Sequence, residues 1–442
     1  MSLVKKTIEA MQFIEENDVK FIRLQFCDLE GQNRNIAILS NQIERALASG
    51  IPFDASSVVG FSESKNSDLV LFPDISTIQI LPWRPQQGKV ARILCDIKYP
   101  NGELYQGDSR NILKETLKQA ENLGYTFNIG VECEFYLFKQ DEDGEPTTNP
   151  SDQAGYFDLA PFDRGENTRR EICLTLEDIG FEIESSRHES GKGQHGIDFK
   201  FDNALVSADN MMTFKTVVKT VAQRNGLHAS FLPKPLMGEP GSGMHINASL
   251  MVNGENIFIN NNGIISDEAQ YFIAGVLAHI KGITAIGNPL VNSYKRLMGG
   301  QEAPQHIGWS FTNRAPLIRI PASVEEYSRM ELRSPDPTCN PYLTFAVILA
   351  AGMEGLLKKL PLMDELTLGA NEITRETKTN KSIEELPITL SEAIVAMEAD
   401  SLIESVLGEV LMKKYVELKK QEWVDYIKTV HPWEIDRYFS IY

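Results

Sequence analysis

The chain has 442 residues, with 61 acidic against 43 basic side chains and a formal charge of -18. Such an excess leaves no broad basic surface and so excludes a nucleic acid or an anionic membrane as partner, although arginines clustered inside an acidic protein still suffice for one nucleotide. The five cysteines are scattered and odd in number, which argues against a disulfide framework or zinc knuckle; the first nine residues carry no apolar leader core, no stretch reads as a membrane span, and a soluble cytoplasmic protein is expected.

The length is too great for one ordinary core and predicts two domains. Residues 5–17 read as a short amphipathic helix, followed by a β-rich run at Val19–Cys27, the turn Asp28-Leu29-Glu30-Gly31 and a strand at Asn33–Leu39. Runs at 68–72, 77–81 and 90–97 complete a small β-rich domain, residues 1–106. Asp108 is a natural N-cap for a helix over 109–123, which opens a larger domain, residues 107–442. Helical patterns at 165–179, 208–225 and 267–286 alternate there with strands, and 342–360 reads as an apolar core helix, so the class is α+β. From 389 onward the chain is nearly all helical. The mixed charges of Lys413, Lys414, Glu417, Lys419, Lys420 and Glu422 read as a solvated face.

Four strands carry the chemistry. In residues 128–138, Val131, Cys133, Phe135 and Leu137 share one face while Glu132 and Glu134 project from the other, about 7 Å apart, where two carboxylates repel by about 2 kcal/mol unless a cation compensates. In 244–250, His245, Asn247 and Ser249 oppose Met244, Ile246 and Leu250. In 196–201 apolar residues again oppose a polar face, with Glu189 in the preceding glycine-rich loop. In 328–334, Glu331 lies between Arg329 and Arg333, an arrangement that by itself is also that of an ordinary surface ion pair. Together the four predict a curved sheet with one face packed on helices and the other lining a polar cavity. Oxygen ligands with a single imidazole suit Mg2+ or Mn2+ better than zinc, and such cations beside clustered arginines equip a site for phosphoryl transfer. The loops 191–194 and 238–243 have neither Walker nor dinucleotide-fingerprint spacing.

Five segments together resemble type I glutamine synthetases: Phe53-Asp54-Ala55-Ser56-Ser57, Val131-Glu132-Cys133-Glu134-Phe135, His188-Glu189 with Gly193-Gln194-His195, Lys234-Pro235-Leu236 with Gly241-Ser242-Gly243-Met244-His245, and Asn292 to Arg296 continuing through Arg314 and Arg319 to Arg333-Ser334-Pro335-Asp336. His431-Pro432-Trp433 is similar too. The resemblance implies a β-grasp-like amino-terminal domain and a catalytic domain with a curved antiparallel sheet flanked by helices. It implies ligation of ammonium to the γ-carboxylate of L-glutamate with ATP, through γ-glutamyl phosphate, with two or three Mg2+ or Mn2+ ions per site. Matched residue by residue, Glu132, His245 and Glu331 hold the metal nearer ATP, and Glu134 and Glu189 the metal nearer glutamate. Arg296, Arg333 and Gly241 meet glutamate, and Arg314, Arg319, Arg329 and Asn247 meet the nucleotide. Glu302 is the flap carboxylate, and Asp54, lent by a neighbouring subunit, binds and deprotonates ammonium. The resemblance further implies a dodecamer of two hexameric rings with shared active sites, in which the charged tail is an inter-ring contact.

Two positions depart from the family pattern. Gly196 stands where a third carboxylate for the glutamate-side metal is expected, leaving that place to water, and Asp198 lies one pleat too far along to replace it. Pro240 stands where an asparagine is common, as in some relatives that join glutamate to amines. A γ-glutamyl-amine ligase and a weakly active nitrogen-sensing regulatory relative therefore stay open as alternatives. Residues 381–393 contain no tyrosine, so the chain resembles the non-adenylylated class, and Ser62 takes a place where some feedback-inhibited relatives carry arginine.

Overall fold

A computed structural model describes residues 3–61, 67–84, 86–258, 265–299, 302–311, 313–321, 327–369, 372–373, 378 and 383–442. Ser62 and the first two residues of the 381–393 region lie outside them. The amino-terminal part comprises α1 (Leu3–Glu16), β1 (Val19–Cys27), β2 (Asn33–Leu39), α2 (Ile43–Ser49), β3 (Ile51–Asp54), β4 (Asp68–Pro73), β5 (Gln79–Ile80) and β6 (Lys89–Lys98). They form a six-stranded sheet in the order β2-β1-β6-β4-β3, with β5 on β6, and β1 runs parallel to β6. The run expected at 77–81 is strand only at its end. Asp74 accepts a hydrogen bond from the Ser76 amide and winds Ile75–Thr77 into a 3-10 turn, which leaves two residues for β5.

Next come α3 (Ser109–Asn122), capped by Asp108 through the Arg110 amide, β7 (Tyr125–Gln140), β8 (Pro146–Pro150), α4 (Glu166–Glu177), β9 (Ile183–His188) and β10 (Gln194–Asn203). After α5 (Ala204–Arg224) the chain forms β11 (Leu227–Ser230), β12 (Met244–Val252) and β13 (Glu255–Asn256). Then follow α6 (Asp267–Gly287), α7 (Val291–Leu297), β14 (His306–Ser310), β15 (Pro316–Arg319), β16 (Met330–Leu332), α8 (Pro341–Lys358), α9 (Leu390–Glu398), α10 (Ser401–Leu407), α11 (Glu409–Lys428) and α12 (Pro432–Tyr438). The second sheet has ten strands along the path β14-β15-β16-β12-β7-β10-β9, with β8 and β11 on β7 and β13 on β12. It is antiparallel except at its β14 edge, where β14 and β15 run parallel. The curved antiparallel sheet expected of the catalytic domain is thus present, with this one parallel pair at its edge.

The apolar face of the second sheet buries Val131, Cys133, Phe135, Leu137, Ile246 and Met330 in one core with α3, α5, α6 and α8, with α3 and α5 directly on β7, and that core fixes which way the polar face looks. Helices α6 and α8 are, by length and composition, apolar enough to cross a membrane, which corrects the reading that no stretch is. Their windows are 67% and 78% buried inside the fold, so they serve as core helices. His279 on α6 staples this layer. Its imidazole lies 2.8 Å from Asp400, the N-cap of α10, and 2.9 Å from Glu354 of α8.

Asp400 first, then Glu354, raises the His279 pKa above its ordinary value against the opposing effect of burial. The stabilisation is complete below the unfolded pKa and is lost as pH rises through the higher folded one. His279→Gln should therefore lower the unfolding free energy read from urea titration more at pH 6 than at pH 9, by on the order of 1 kcal/mol for partly solvated carboxylates. An equal loss at both pH values would mean that packing rather than charge is what the histidine supplies.

The two sheets meet through buried polar contacts. Arg110 forks onto Asp209 at 2.8 and 2.9 Å and also reaches Asp96 and Asp74. Gly31, at φ +76°, passes so close to α8 that a Cβ there would lie 2.9 Å from the Asn340 Cα, which explains the glycine in that turn. Lys419 of α11 is 1% exposed and lies 3.0 Å from both Glu30 and Glu422. The solvated-face reading fails at this residue. A lysine folded against the β1–β2 turn finds one carboxylate there and another one turn along its own helix, and gives up water for them.

Candidate active site

The functional side chains stand on adjacent strands because the register places them there. Glu132 on β7 pairs with His245 on β12, and Asn247 two residues on pairs with Glu331 of β16. Ligand atoms of Glu132, His245 and Glu331 all lie within 4.8 Å of one another. His245 Nδ1 is 3.5 Å from Glu132 and 3.3 Å from Glu331. Burial disfavours charge on both carboxyls, yet the imidazole between them holds each down at about 2; burial likewise opposes the imidazolium, and the two carboxylates still lift His245 to about 9. Two carboxylates and one imidazole converging in this way fit a hard divalent cation, which would take the place of the imidazolium proton.

Arginines surround this triad. Arg319 donates to Glu331 at 2.9 Å and Arg333 lies 3.3 Å from the same carboxylate. Arg329 donates to Asn247, which donates to Glu132, both at 2.9 Å. This arm lines a smaller cavity of about 190 Å³ with Phe199, Phe201 and Tyr327, which shares Glu132 and Asp198 with the main cleft. Arg296 of α7 is buried, donating to the carbonyls of Ser334 at 2.6 Å and Arg333 at 3.1 Å. It lies so close to the 241–243 loop that a Cβ on Gly241 would sit 2.7 Å from its Cγ and one on Gly243 2.5 Å from its Nη2. The glycines are there for close approach, as in many substrate loops.

Glu132, His245, Glu331, Arg296, Arg319 and Arg333 line one cleft of about 1050 Å³ that also holds Glu134, Glu189, Glu302, Arg314 and Gly241. Glu134 accepts from the Gly243 amide at 2.7 Å, and burial raises its pKa. Burial first, then the Glu134 charge, lifts Glu189 to about 8. Glu302 has a left-handed backbone (φ +65°) and accepts from Ser190 Oγ at 2.9 Å, while its carbonyl accepts from Arg333 at 3.2 Å. Beneath Glu189 lies a buried network: His188 is 3.0 Å from Asp152, which also accepts from the Gly193 amide, and Arg169 bridges Asp163 and His195. It fixes the β9–β10 turn. Asp54 is not in this cleft; it lies exposed at the end of β3, accepting from the Ser56 amide at 2.9 Å.

Residues 106–438 match the glutamine synthetase catalytic domain and residues 18–100 its beta-grasp domain. The chain belongs to the glutamine synthetase family. Curated glutamine synthetases of Clostridium saccharobutylicum and Methanosarcina mazei are 49% and 47% identical over 98% of this chain and 98% and 97% of theirs. That of Staphylococcus aureus is 47% identical, again over 98% of this chain and 97% of its own. Among solved structures, an ADP complex of GmaS superposes with a TM-score of 0.88 at 31% identity, covering 97% of this chain and 99% of that one. The glutamine synthetase of Plasmodium falciparum gives 0.86 at 27%, covering 98% of each. The glutamine synthetase fold thus accounts for both sheets, the amino-terminal one being the β-grasp domain.

Against the glutamine synthetase pattern, Pro240 turns its carbonyl away to accept from the Tyr136 hydroxyl at 2.6 Å. Gly196 pairs with Glu134 on one side and with Arg187 on the other. Arg187 is a charged cleft residue that sequence reading missed, although its place two residues before Glu189, with a glycine where a carboxylate is expected, was a usable signal.

Proposed function

We propose that this chain is an ATP-dependent glutamate-ammonia ligase, forming glutamine, ADP and phosphate through γ-glutamyl phosphate. The carrying observation is the convergence of Glu132, His245 and Glu331 with Arg296, Arg314, Arg319 and Arg333 around one cleft, in a chain of this family. Glu132, His245 and Glu331 would hold Mg2+ or Mn2+, which would supply charge neutralisation at the transferring phosphate. Arg314 and Arg319 face the phosphates, and Arg329 with Asn247 serves the nucleotide through the smaller cavity. Arg296 and Arg333, with the Gly241 loop, bind the glutamate carboxylates, and Glu134 takes the amino group's side. Glu302 closes over the acyl phosphate and shields it from water. Asp54 acts from a neighbouring subunit, accepting the ammonium proton, which accords with its distance from its own chain's cleft.

The same reading makes the protein a cytoplasmic dodecamer of the non-adenylylated class, with the helical tail between rings and the domain boundary at residue 106. The family match and the curated relatives, all named glutamine synthetase, favour this reading over an amine ligase or a sensor. The deciding assay is glutamate-dependent phosphate release from ATP with ammonium or a panel of mono- and polyamines, the product identified by mass. Turnover with ammonium to glutamine is expected. Turnover only with an amine would move the chain to the γ-glutamyl-amine ligases, and silence with every acceptor would make it a sensor.

A further inference from the structure

On the glutamate side of the cleft the residues present do not form a second three-carboxylate cation site. The row Arg187, Gly196, Glu134 crosses β9, β10 and β7 in register, so the position between the arginine and Glu134 has no side chain. Glu189 and Arg187 have moved into that space: a Cβ on Gly196 would lie 2.2 Å from Glu189 Oε1 and 3.5 Å from Arg187 Cζ. Arg187 Nε is 2.7 Å from Glu189 Oε1, and its Nη1 bonds Asp198 and, at 3.1 Å, Ser185 Oγ. Both carboxylates that could balance a cation on this side of β10 are therefore paired with a guanidinium that keeps its charge at any working pH. A dication between Glu134 and Glu189 would meet that guanidinium at close range, with nothing from position 196 to offset it.

We infer that Arg187 takes the place of the glutamate-side divalent cation, so that the ATP-free chain has one tight divalent site, at Glu132, His245 and Glu331. A fixed monocation on a packed strand then supplies the positive charge beside Glu189, while Arg296 supplies it for Glu134. Glycine at 196 is part of the same change, since it gives the Arg187–Glu189 pair its room. The inference rests on the proposed reading of the Glu132–His245–Glu331 site.

The test is Mn2+ stoichiometry in the metal-stripped, full-length protein without nucleotide, with free Mn2+ followed by electron paramagnetic resonance. One tightly bound Mn2+ per chain is expected, lost in Glu331→Gln and rising to two in the double variant Arg187→Ser, Gly196→Glu. Two tight ions in the unmodified chain would overturn the inference whether or not the variant folds, and so would a folded double variant that stays at one. A single ion that survives Glu331→Gln, or none at all, would instead overturn the assignment of Glu132, His245 and Glu331 on which it rests.

Discussion

Glu331→Gln is expected to lower kcat for glutamate-dependent phosphate release by roughly three orders of magnitude, about 4 kcal/mol in the barrier. The side chain is 3% exposed and touches three cations: His245 at 3.3 Å, Arg319 at 2.9 Å and Arg333 at 3.3 Å. The amide keeps the volume and removes the charge. Two effects follow from that one change. The cation site retains only Glu132 and His245, and three positive groups are left around a neutral amide, whose NH2 repels the donors that Glu331 accepted from. His245, with one carboxylate instead of two, also loses part of the cause that raises it to about 9. Initial rates at saturating ATP and Mg2+, with circular dichroism to establish that the variant is folded, decide the matter. A folded variant within tenfold of the unmodified rate would remove Glu331 from the reaction.

Much of this site was legible because strand alternation is rigid. Once Val131, Cys133, Phe135 and Leu137 had to face the core, Glu132 and Glu134 could only face the cleft, and the same holds for His245 opposite Met244 and Ile246. A helix start with a capping side chain was legible too, as at Asp108. Short elements were not. The strand β3 has four residues, one of them proline, and β15 opens on proline, so neither shows enough alternation to be read. Helix α5 begins four residues earlier than its apolar pattern, because Asn203 caps it by accepting from the Leu205 amide. Lys419 and Arg187 escaped for another reason. Each is paired with a carboxylate from a different element, Glu30 for Lys419 and Asp198 for Arg187, and a lone sequence shows a charge without showing such a partner.

Glu302→Ala is expected to leave ATP binding within about twofold while raising the ratio of phosphate released to glutamine formed from near one to about ten. The carboxylate accepts from Ser190, in the loop just after Glu189, and so ties the two lips of the cleft together. Its backbone carbonyl accepts from Arg333, a contact that alanine keeps. The left-handed conformation at this residue, a strain of about 1 kcal/mol or more, is likewise common to both side chains. What the substitution removes is therefore the bridge and its charge, with the loop's anchor left in place. An acyl phosphate formed behind an open lip meets water as readily as ammonium, and water is in vast excess. Ser190→Ala separates closure from proton chemistry, since it cuts the bridge while keeping the Glu302 carboxylate. Leakage in both variants would place the effect in closure. Leakage in Glu302→Ala alone would place it in the carboxylate's own charge, and a ratio that stays near one while kcat falls in both would withdraw the flap role.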